Sequence, residues 1–391
     1  MTNTTSIEKI ALIPVYVYLI TIATSAILPF SRPVLIAFIF IIISFIVLLT
    51  LKKTILLNID VSLVLFLLLY ACFSLLWVEI ISPRVLKTLT AFIPSLLLIN
   101  IVYWTKVSIR KLLWIYAISV TVYALYILLN LNSFLRNISI NESIVYINRN
   151  AVALPFGFTL IVLYALVNRA TKKEKYIIIF LSVLILTVLI ITQSRTPLIG
   201  ALLSIIITLF ITNSIKSFIV IKRKKSVFYI VLFIILFIFL TKIIDFDLSS
   251  HRLFTSFKQN YGYDDLSSGR IHIWKNGLML HNNFFWGSGF ASFENEYLKK
   301  HGISKNPHNT YLDIYIGLGI IGLILYLSFL VRLMFNYKKI QIDYQKSYLS
   351  LILFMFFIGF TNDYFEESIF WICWFFAISI YYQNKKIKLV K

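Results

Sequence analysis

Apolar segments of about 20 residues recur along the whole chain of 391 residues, and they limit its possible folds more than any other feature. Each segment is long enough to cross about 30 Å of hydrocarbon as a helix. Only 14% of the residues are charged, against about 25% in a soluble domain. The sequence therefore predicts an all-α polytopic membrane protein with about 12 transmembrane helices. The predicted spans are residues 11–29, 34–51, 58–78, 86–104, 112–131, 150–168, 176–193, 197–215, 226–243, 310–333, 347–361 and 367–382.

The basic residues indicate how these spans are oriented. The net charge of +21 comes from short clusters between apolar segments and not from one domain face, so we expect no nucleic-acid partner. When the N-terminus is placed inside, most of the 37 Lys and Arg residues fall on the inner side, and every inner connection is basic. The positive-inside rule then predicts that both termini are cytoplasmic.

One connection, residues 244–309, is far longer than the others and falls on the outer side of this topology, between spans 9 and 10. It separates a transmembrane bundle at 1–243 from a second one, with a cytoplasmic tail, at 310–391. All five histidines of the chain lie within it. Loops longer than about 15 residues are usually functional or disordered, and the aromatic residues of this loop favour docking on the bundle. We therefore expect it to carry an active site.

One part of the loop, residues 270–280, has helical periodicity. Ile271, Trp274 and Leu278 fall on one face of this predicted helix, which we expect to lie over the outer mouth of the bundle. The Gly287–Gly289 pair is predicted to break it. A cover with a purely structural role accounts for the same aromatic residues, and this alternative stays open.

Three outer arginines lie beside span or helix starts, namely Arg149, Arg195 and Arg270. A guanidinium group can bind phosphate through two parallel hydrogen bonds. Pro197 follows Arg195 closely and can open a helix whose free N–H groups attract an anion. Three such arginines in one cavity would bind a polyanion such as a pyrophosphate. The alternatives are interfacial anchors or solvated loop charges.

His308 lies in the sequence Pro307-His308-Asn309, directly before a span begins. A histidine can act as a general base near neutral pH. The alternative is a histidine that is merely solvated in the loop, and the local sequence does not distinguish the two. The spacing of the five histidines contains no paired-ligand pattern, so we expect no metal site.

Two further polar or glycine-rich patterns have more than one interpretation. An outer acidic turn, with Asp363, Glu366 and Glu367, could hold a cation or contact arginines. The segment Gly317–Gly322 matches the dinucleotide-binding glycine pattern, but it lies in a predicted span without a preceding strand. Helix packing is therefore the favoured interpretation of these glycines.

Several of these motifs together resemble the O-antigen ligase and polymerase superfamily. In that family a histidine–amide pair closes the large outer loop, and glycines follow in the next span. The motifs that carry the resemblance are Ser194-Arg195, Ser268-Gly269-Arg270 with Trp274, Trp286-Gly287 with Gly289-Phe290, and His308-Asn309 with Gly319 and Gly322.

The resemblance implies a function and assigns roles to residues. Ligases of this family transfer a glycan from undecaprenyl diphosphate to a sugar of lipid A–core on the periplasmic face of the bacterial inner membrane, without a cofactor, nucleotide or metal. Arg195 and Arg270 match arginines that hold the diphosphate. His308 matches the histidine that activates the acceptor hydroxyl, and Asn309 is its amide neighbour. Arg149 is a further candidate for substrate binding on its position alone.

The alternatives to a ligase are a polymerase, which extends lipid-linked repeats, and a non-enzymatic glycolipid transporter. Polymerases often have two substantial outer loops and an arginine followed by glycine after ten residues. This chain has one long outer loop and no such arginine. A transporter would need polar groups along its spans, whereas here polarity is concentrated on one outer face. The sequence thus favours a ligase.

Overall fold

The computed structural model describes residues 6–24, 31–52, 54–57, 59–131, 134, 149–192, 194–212, 270–280, 283–360, 363, 365 and 367–385. These residues form helices and their connections, and the part of the chain described here contains no β-strand. An isolated bridge pairs Ile340 with Lys385. The helices are α1 Ser6–Ala11, α2 Ile13–Thr24, α3 Ser31–Lys52, α4 Ile59–Ser74, α5 Pro83–Thr105, α6 Ile109–Leu129, α7 Arg149–Val167, α8 Lys172–Ile191, α9 Arg195–Ile211, α10 Arg270–Leu278, α11 Phe293–His301, α12 Thr310–Asn336, α13 Ile342–Gly359 and α14 Ser368–Asn384.

The helices agree with the predicted spans wherever both can be compared. Every predicted span except 226–243, which lies outside the described residues, overlaps one of the helices. Six described helices are long and apolar enough to cross a membrane, and α4 and α9 are shorter apolar helices. The all-α membrane fold is therefore confirmed, while the number of twelve spans and the side of the long loop stay predictions.

Local capping explains where several helices begin. Ser82 accepts a hydrogen bond from the backbone N–H of Arg84, and Pro83 occupies the first turn of α5, where a missing N–H costs nothing. Thr171 and Glu174 form a reciprocal capping box at the start of α8. Polar residues between apolar segments thus set the helix starts.

The core of the bundle is formed around α14, which is buried on all sides. Trp371 and Trp374 are among its fully buried side chains, and Phe92 of α5 packs against both rings. A helix that is apolar on every face belongs in a protein interior or a bilayer. By contrast, α3 leaves Leu35, Ile36 and many similar side chains exposed, as expected for a helix that faces lipid.

Polar contacts show which helix ends lie together. At one end, Asp60 at the start of α4 accepts hydrogen bonds from Arg332 Nε and Asn336 Nδ2 near the end of α12, both at 2.9 Å. At the opposite end of the same two helices, Tyr70 Oη donates to the Leu318 carbonyl oxygen at 3.1 Å. The helices α4 and α12 are therefore antiparallel, as the predicted topology requires for spans 3 and 10.

Candidate functional site

The long loop is joined to α12 at a break in that helix. Gly319 has φ 65° and ψ −168°, so the regular helix is interrupted there. The loop backbone replaces the lost hydrogen bonds. Ser288 N–H donates to the Ile316 carbonyl oxygen at 2.9 Å, and Ile320 N–H donates to the Phe284 carbonyl oxygen at 3.0 Å. Irregular backbone at membrane depth needs such partners, because lipid offers none.

Glycine is required at this junction because two backbones meet there without side chains between them. A Cβ on Gly319 would lie 2.2 Å from the Phe285 carbonyl oxygen, and one on Gly287 would lie 2.4 Å from the Gly317 carbonyl oxygen. The helix-packing interpretation of the Gly317–Gly322 segment is thus corrected, since Gly317 and Gly319 receive the loop backbone and not a neighbouring helix.

The predicted amphipathic helix of the loop is present as α10, but a different face of it packs. Ile271 and Leu278 are exposed, and Ile273 and Trp274 pack in a small apolar cluster on α12. The reason is Gly277, where a Cβ would lie 2.8 Å from the Phe293 ring. This glycine allows close contact on the Ile273–Gly277 side.

A second correction concerns the end of this helix. The helix α10 ends at Leu278, before the glycines that were predicted to break it. Gly287 and Gly289 instead have positive φ values of 70° and 100° in the segment that pairs with α12. The sequence also allows Ser267 or Ser268 to cap the start of α10, and both lie outside the described residues.

His308 is held by its backbone between the loop and the start of α12. It has φ 47°, in the left-handed region. Its N–H donates to Asn306 Oδ1 at 2.8 Å, and Asn306 Nδ2 donates to Glu294 Oε1 of α11 at 3.0 Å. On the other side, Trp274 Nε1 donates to the Pro307 carbonyl oxygen at 2.7 Å. Both loop helices therefore fix the position of the half-buried histidine.

Asn309 caps α12. Its Oδ1 accepts a hydrogen bond from Leu312 N–H at 3.1 Å, which satisfies one of the free donors at the helix start. The amide oxygen is thereby engaged, so a substrate contact by Asn309 would use its amide nitrogen. Substrate binding by this residue stays a prediction.

A buried ion cluster beside His308 was not predicted from the sequence. Arg84 of α5 lies 3.1 Å from Asp313 of α12 and 3.8 Å from Glu294, and it is paired closely with Asp363. The side chains of Arg84, Asp313 and Asp363 are only 12%, 5% and 3% exposed. A lone acid within a predicted span needs a partner, so Asp313 was the signal that could have revealed the cluster.

The two contacts of the acidic turn that the structure describes are with basic residues. Asp363 pairs with Arg84, and Glu367 Oε1 accepts a hydrogen bond from Lys87 Nζ at 2.7 Å. Glu366 lies outside the described residues. In the described part of the chain, no group of three His, Cys, Asp or Glu side chains is suited to hold a metal ion.

Arg149 and Arg195 open two adjacent helices, α7 and α9. Ser194 Oγ donates to Asn150 Oδ1 at 2.6 Å, which joins the two helix starts directly. The side chain of Arg149 is outside the described part of the structure. Arg195 is the first residue of α9, so the helix begins two residues before Pro197.

The starts of α9 and α12 lie at the same end of the bundle. Both helices contact the last turns of α13, because Tyr311 Oη donates to the Phe356 carbonyl oxygen at 2.9 Å, and Gly200 lies against Ile358. Arg195 and His308 therefore share this end of the bundle. Arg270 lies at the same end, because it is one turn before Trp274 on α10, and Trp274 Nε1 donates to the carbonyl oxygen of Pro307. A common substrate site for these residues stays a prediction.

Comparison with known proteins gives a family match. Residues 180–327 match the family described as O-antigen ligase. This region contains Arg195, Arg270, His308 and Asn309, but not Arg149. A search of curated proteins gives no significant match. Members of the family are membrane enzymes of the glycosyltransferase type, both ligases and polymerases, and their substrates are in general a lipid-linked glycan and a lipid acceptor. Together with the apolar helices, this match shows that the chain is similar to the O-antigen ligase and polymerase superfamily over residues 180–327.

Proposed function

We propose that this protein is an O-antigen ligase. It transfers a glycan from undecaprenyl diphosphate to lipid A–core on the periplasmic face of the inner membrane, with both termini in the cytoplasm. The observation that carries the proposal is the position of His308. Its backbone is fixed by Asn306 and Trp274 at the end of the bundle where Arg149, Arg195 and Arg270 begin their helices.

The chemistry needs few protein groups because the donor already carries a good leaving group. The oxygen of an acceptor hydroxyl forms a bond to the anomeric carbon, and the bond from that carbon to the diphosphate breaks. The proton of the hydroxyl passes to the His308 imidazole, and the bonding electrons leave with the diphosphate. Arg195 and Arg270 stabilise the negative charge that develops there. No metal or nucleotide takes part in this mechanism.

The alternative within the family is a polymerase, which uses the same donor but a lipid-linked acceptor. One long outer loop, residues 244–309, favours the ligase. The two activities leave different products in cells. A ligase variant without activity leaves bare lipid A–core while polymeric glycan accumulates on the lipid carrier. An inactive polymerase leaves core that carries a single repeat.

The test is a lipopolysaccharide banding gel from cells whose only copy is wild type, His308→Ala or His272→Ala. His272 is the matched control, because it is an exposed histidine of the same loop. We expect a full ladder from wild type and His272→Ala, and bare core with accumulated carrier-linked polymer from His308→Ala. All three proteins must be present in the membrane at equal amounts. An unchanged ladder in His308→Ala would exclude the catalytic role of His308.

A further inference from the structure

A groove of about 500 Å³ lies beside α11, between the end of α4 and the loop segment 283–288. One part of its lining is aromatic and consists of Phe73, Trp77 and Trp286. Phe73 and Trp286 are 57% and 49% exposed, so their rings are accessible. Ligand sites typically have volumes of about 300–1,000 Å³ and combine aromatic walls with a few polar groups.

The other part of the lining is polar. It contains the carboxylates of Glu79 and Glu296 together with Asn283 and Ser288. Lys299 holds both carboxylates, at 2.5 Å from Glu79 and 3.4 Å from Glu296. The hydrogen bond from Lys299 to Glu79 raises the pKa of the lysine, and the lysine bridges the two acids.

The wall formed by the loop is rigid before any ligand binds. The Trp286 N–H donates to Asn283 Oδ1 at 3.1 Å, and the next residues are paired with the broken region of α12 through Ser288 N–H and the Ile316 carbonyl oxygen. A site that is already ordered loses less conformational freedom on binding.

We propose that this groove binds one sugar unit of a glycan substrate. A pyranose ring presents C–H groups on its face, which pack on aromatic rings, and hydroxyl groups at its rim, which donate hydrogen bonds to carboxylates. The two carboxylates repel phosphate, so the groove does not hold the diphosphate. A lipid tail would remove these carboxylates from water and would offer them no hydrogen bond in addition to those from Lys299. An uncharged sugar or an amino sugar can pack its ring face on the aromatic part of the lining and donate hydrogen bonds to the polar part.

The position of the groove indicates which sugar it binds. Glu294, which contacts the Asn306–His308 turn, and Glu296, which lines the groove, are two residues apart on α11. Residues at this spacing point to opposite sides of a helix, and a helix with its side chains is about 10–12 Å wide. This step rests on the proposed function, because it takes His308 as the place where the glycan reacts. The bound sugar lies beyond the one that reacts at His308, and its binding energy contributes to transfer of a long substrate only.

Binding is tested first, with full-length protein in lipid nanodiscs and methyl glycosides of glucose, galactose and N-acetylglucosamine as probes. Saturation-transfer NMR detects weak binding of such probes and shows which ring face contacts the protein. We expect signals from wild type that fall roughly tenfold in Trp286→Ala and Glu296→Gln. Phe284→Ala is the matched control, because Phe284 is an exposed aromatic residue of the same segment that does not line the groove. Its signals should stay at the wild-type level.

The outcomes separate this inference from the proposed function. If no probe gives a signal with wild type, or if all variants give equal signals, the groove does not bind sugar. If the signals fall as expected but no glycan is transferred to lipid A–core, the groove is supported and the proposed function is not. Where transfer is observed, kcat/KM of Trp286→Ala should fall roughly tenfold with a multi-repeat glycan and stay unchanged with a substrate of one sugar.

Discussion

The backbone N–H of His308 donates to Asn306 Oδ1 across 2.8 Å, and this hydrogen bond connects the candidate base to α11. The same Asn306 side chain donates to Glu294, which lies 3.8 Å from Arg84. The position of His308 therefore depends on α11 and, through the ion cluster, on α5.

Loss of the Asn306 side chain should displace the histidine without removing it. We expect Asn306→Ala to lower kcat by about tenfold to a hundredfold, because small misplacements of a catalytic group have effects of that size, while KM stays near wild type. The measurement is transfer by purified protein over a range of acceptor concentrations.

A matched control and a rescue test whether this effect comes from positioning. Asn295→Ala changes a neighbouring asparagine that contacts the Ile80 carbonyl oxygen instead, and its kcat should stay unchanged. The double variant Glu294→Gln with Asn306→Asp reverses the direction of the side-chain hydrogen bond and keeps an acceptor for His308. It should recover activity, and a double variant as inactive as Asn306→Ala would contradict the positioning role.

The Arg84 cluster should matter strongly for stability. Arg84→Ala leaves two nearly buried carboxylates, Asp313 and Asp363, without their partner, and removal of one member of a buried pair costs about 3–5 kcal/mol. Thermal unfolding in detergent measures the change. Lys87→Ala is the comparison, because its pair with Glu367 is more exposed and should contribute at most about 1 kcal/mol. Equal effects of the two variants would show that the burial of the Arg84 cluster is unimportant.

The break in α12 gives a prediction about loop docking. In Gly319→Ala, an alanine would have to adopt φ 65°, and its Cβ would lie 2.2 Å from the Phe285 carbonyl oxygen. The substitution should therefore separate the loop from the helix and abolish transfer. Gly302→Ala has a similar φ of 71° but no neighbour within 4 Å. It should cost only about 1 kcal/mol of backbone strain and stay active. Limited proteolysis of the loop reports docking, and a protease-resistant loop in Gly319→Ala would contradict the prediction.

The arginines should act on the donor. We expect Arg195→Ala and Arg270→Ala to reduce transfer severely, and Arg270→Lys to recover only part of it, because lysine keeps the charge but not the paired hydrogen bonds. Lys275→Ala removes an exposed charge from the same helix α10 and should remain active. Binding of the lipid diphosphate to each purified variant measures the effect. Undiminished binding by both alanine variants would rule out the assigned role.

The sequence predicted those features that depend on local patterns. Apolar segments located the helices because a bilayer span needs a minimum length of apolar residues, and the His308-Asn309 pair marked the start of α12. The packed face of α10 was predicted wrongly. Periodicity places apolar side chains on the packed face, whereas the small size of Gly277 allows a different face to pack by letting the helix approach Phe293. The Arg84 cluster joins residues far apart in the chain, and no local pattern records such a contact.

The pairing of the loop with the broken helix also fixes an order of assembly. Residues 284–289 are synthesised before α12, yet their backbone partners, the Ile316 and Gly317 carbonyl oxygens, belong to that later helix. The aromatic residues of this segment must therefore stay undocked until α12 has formed. The candidate base, which lies between the two, reaches its final position only at that step. If His308 is the base, as we propose, transfer can begin only after α12 has been synthesised and the loop has docked on it.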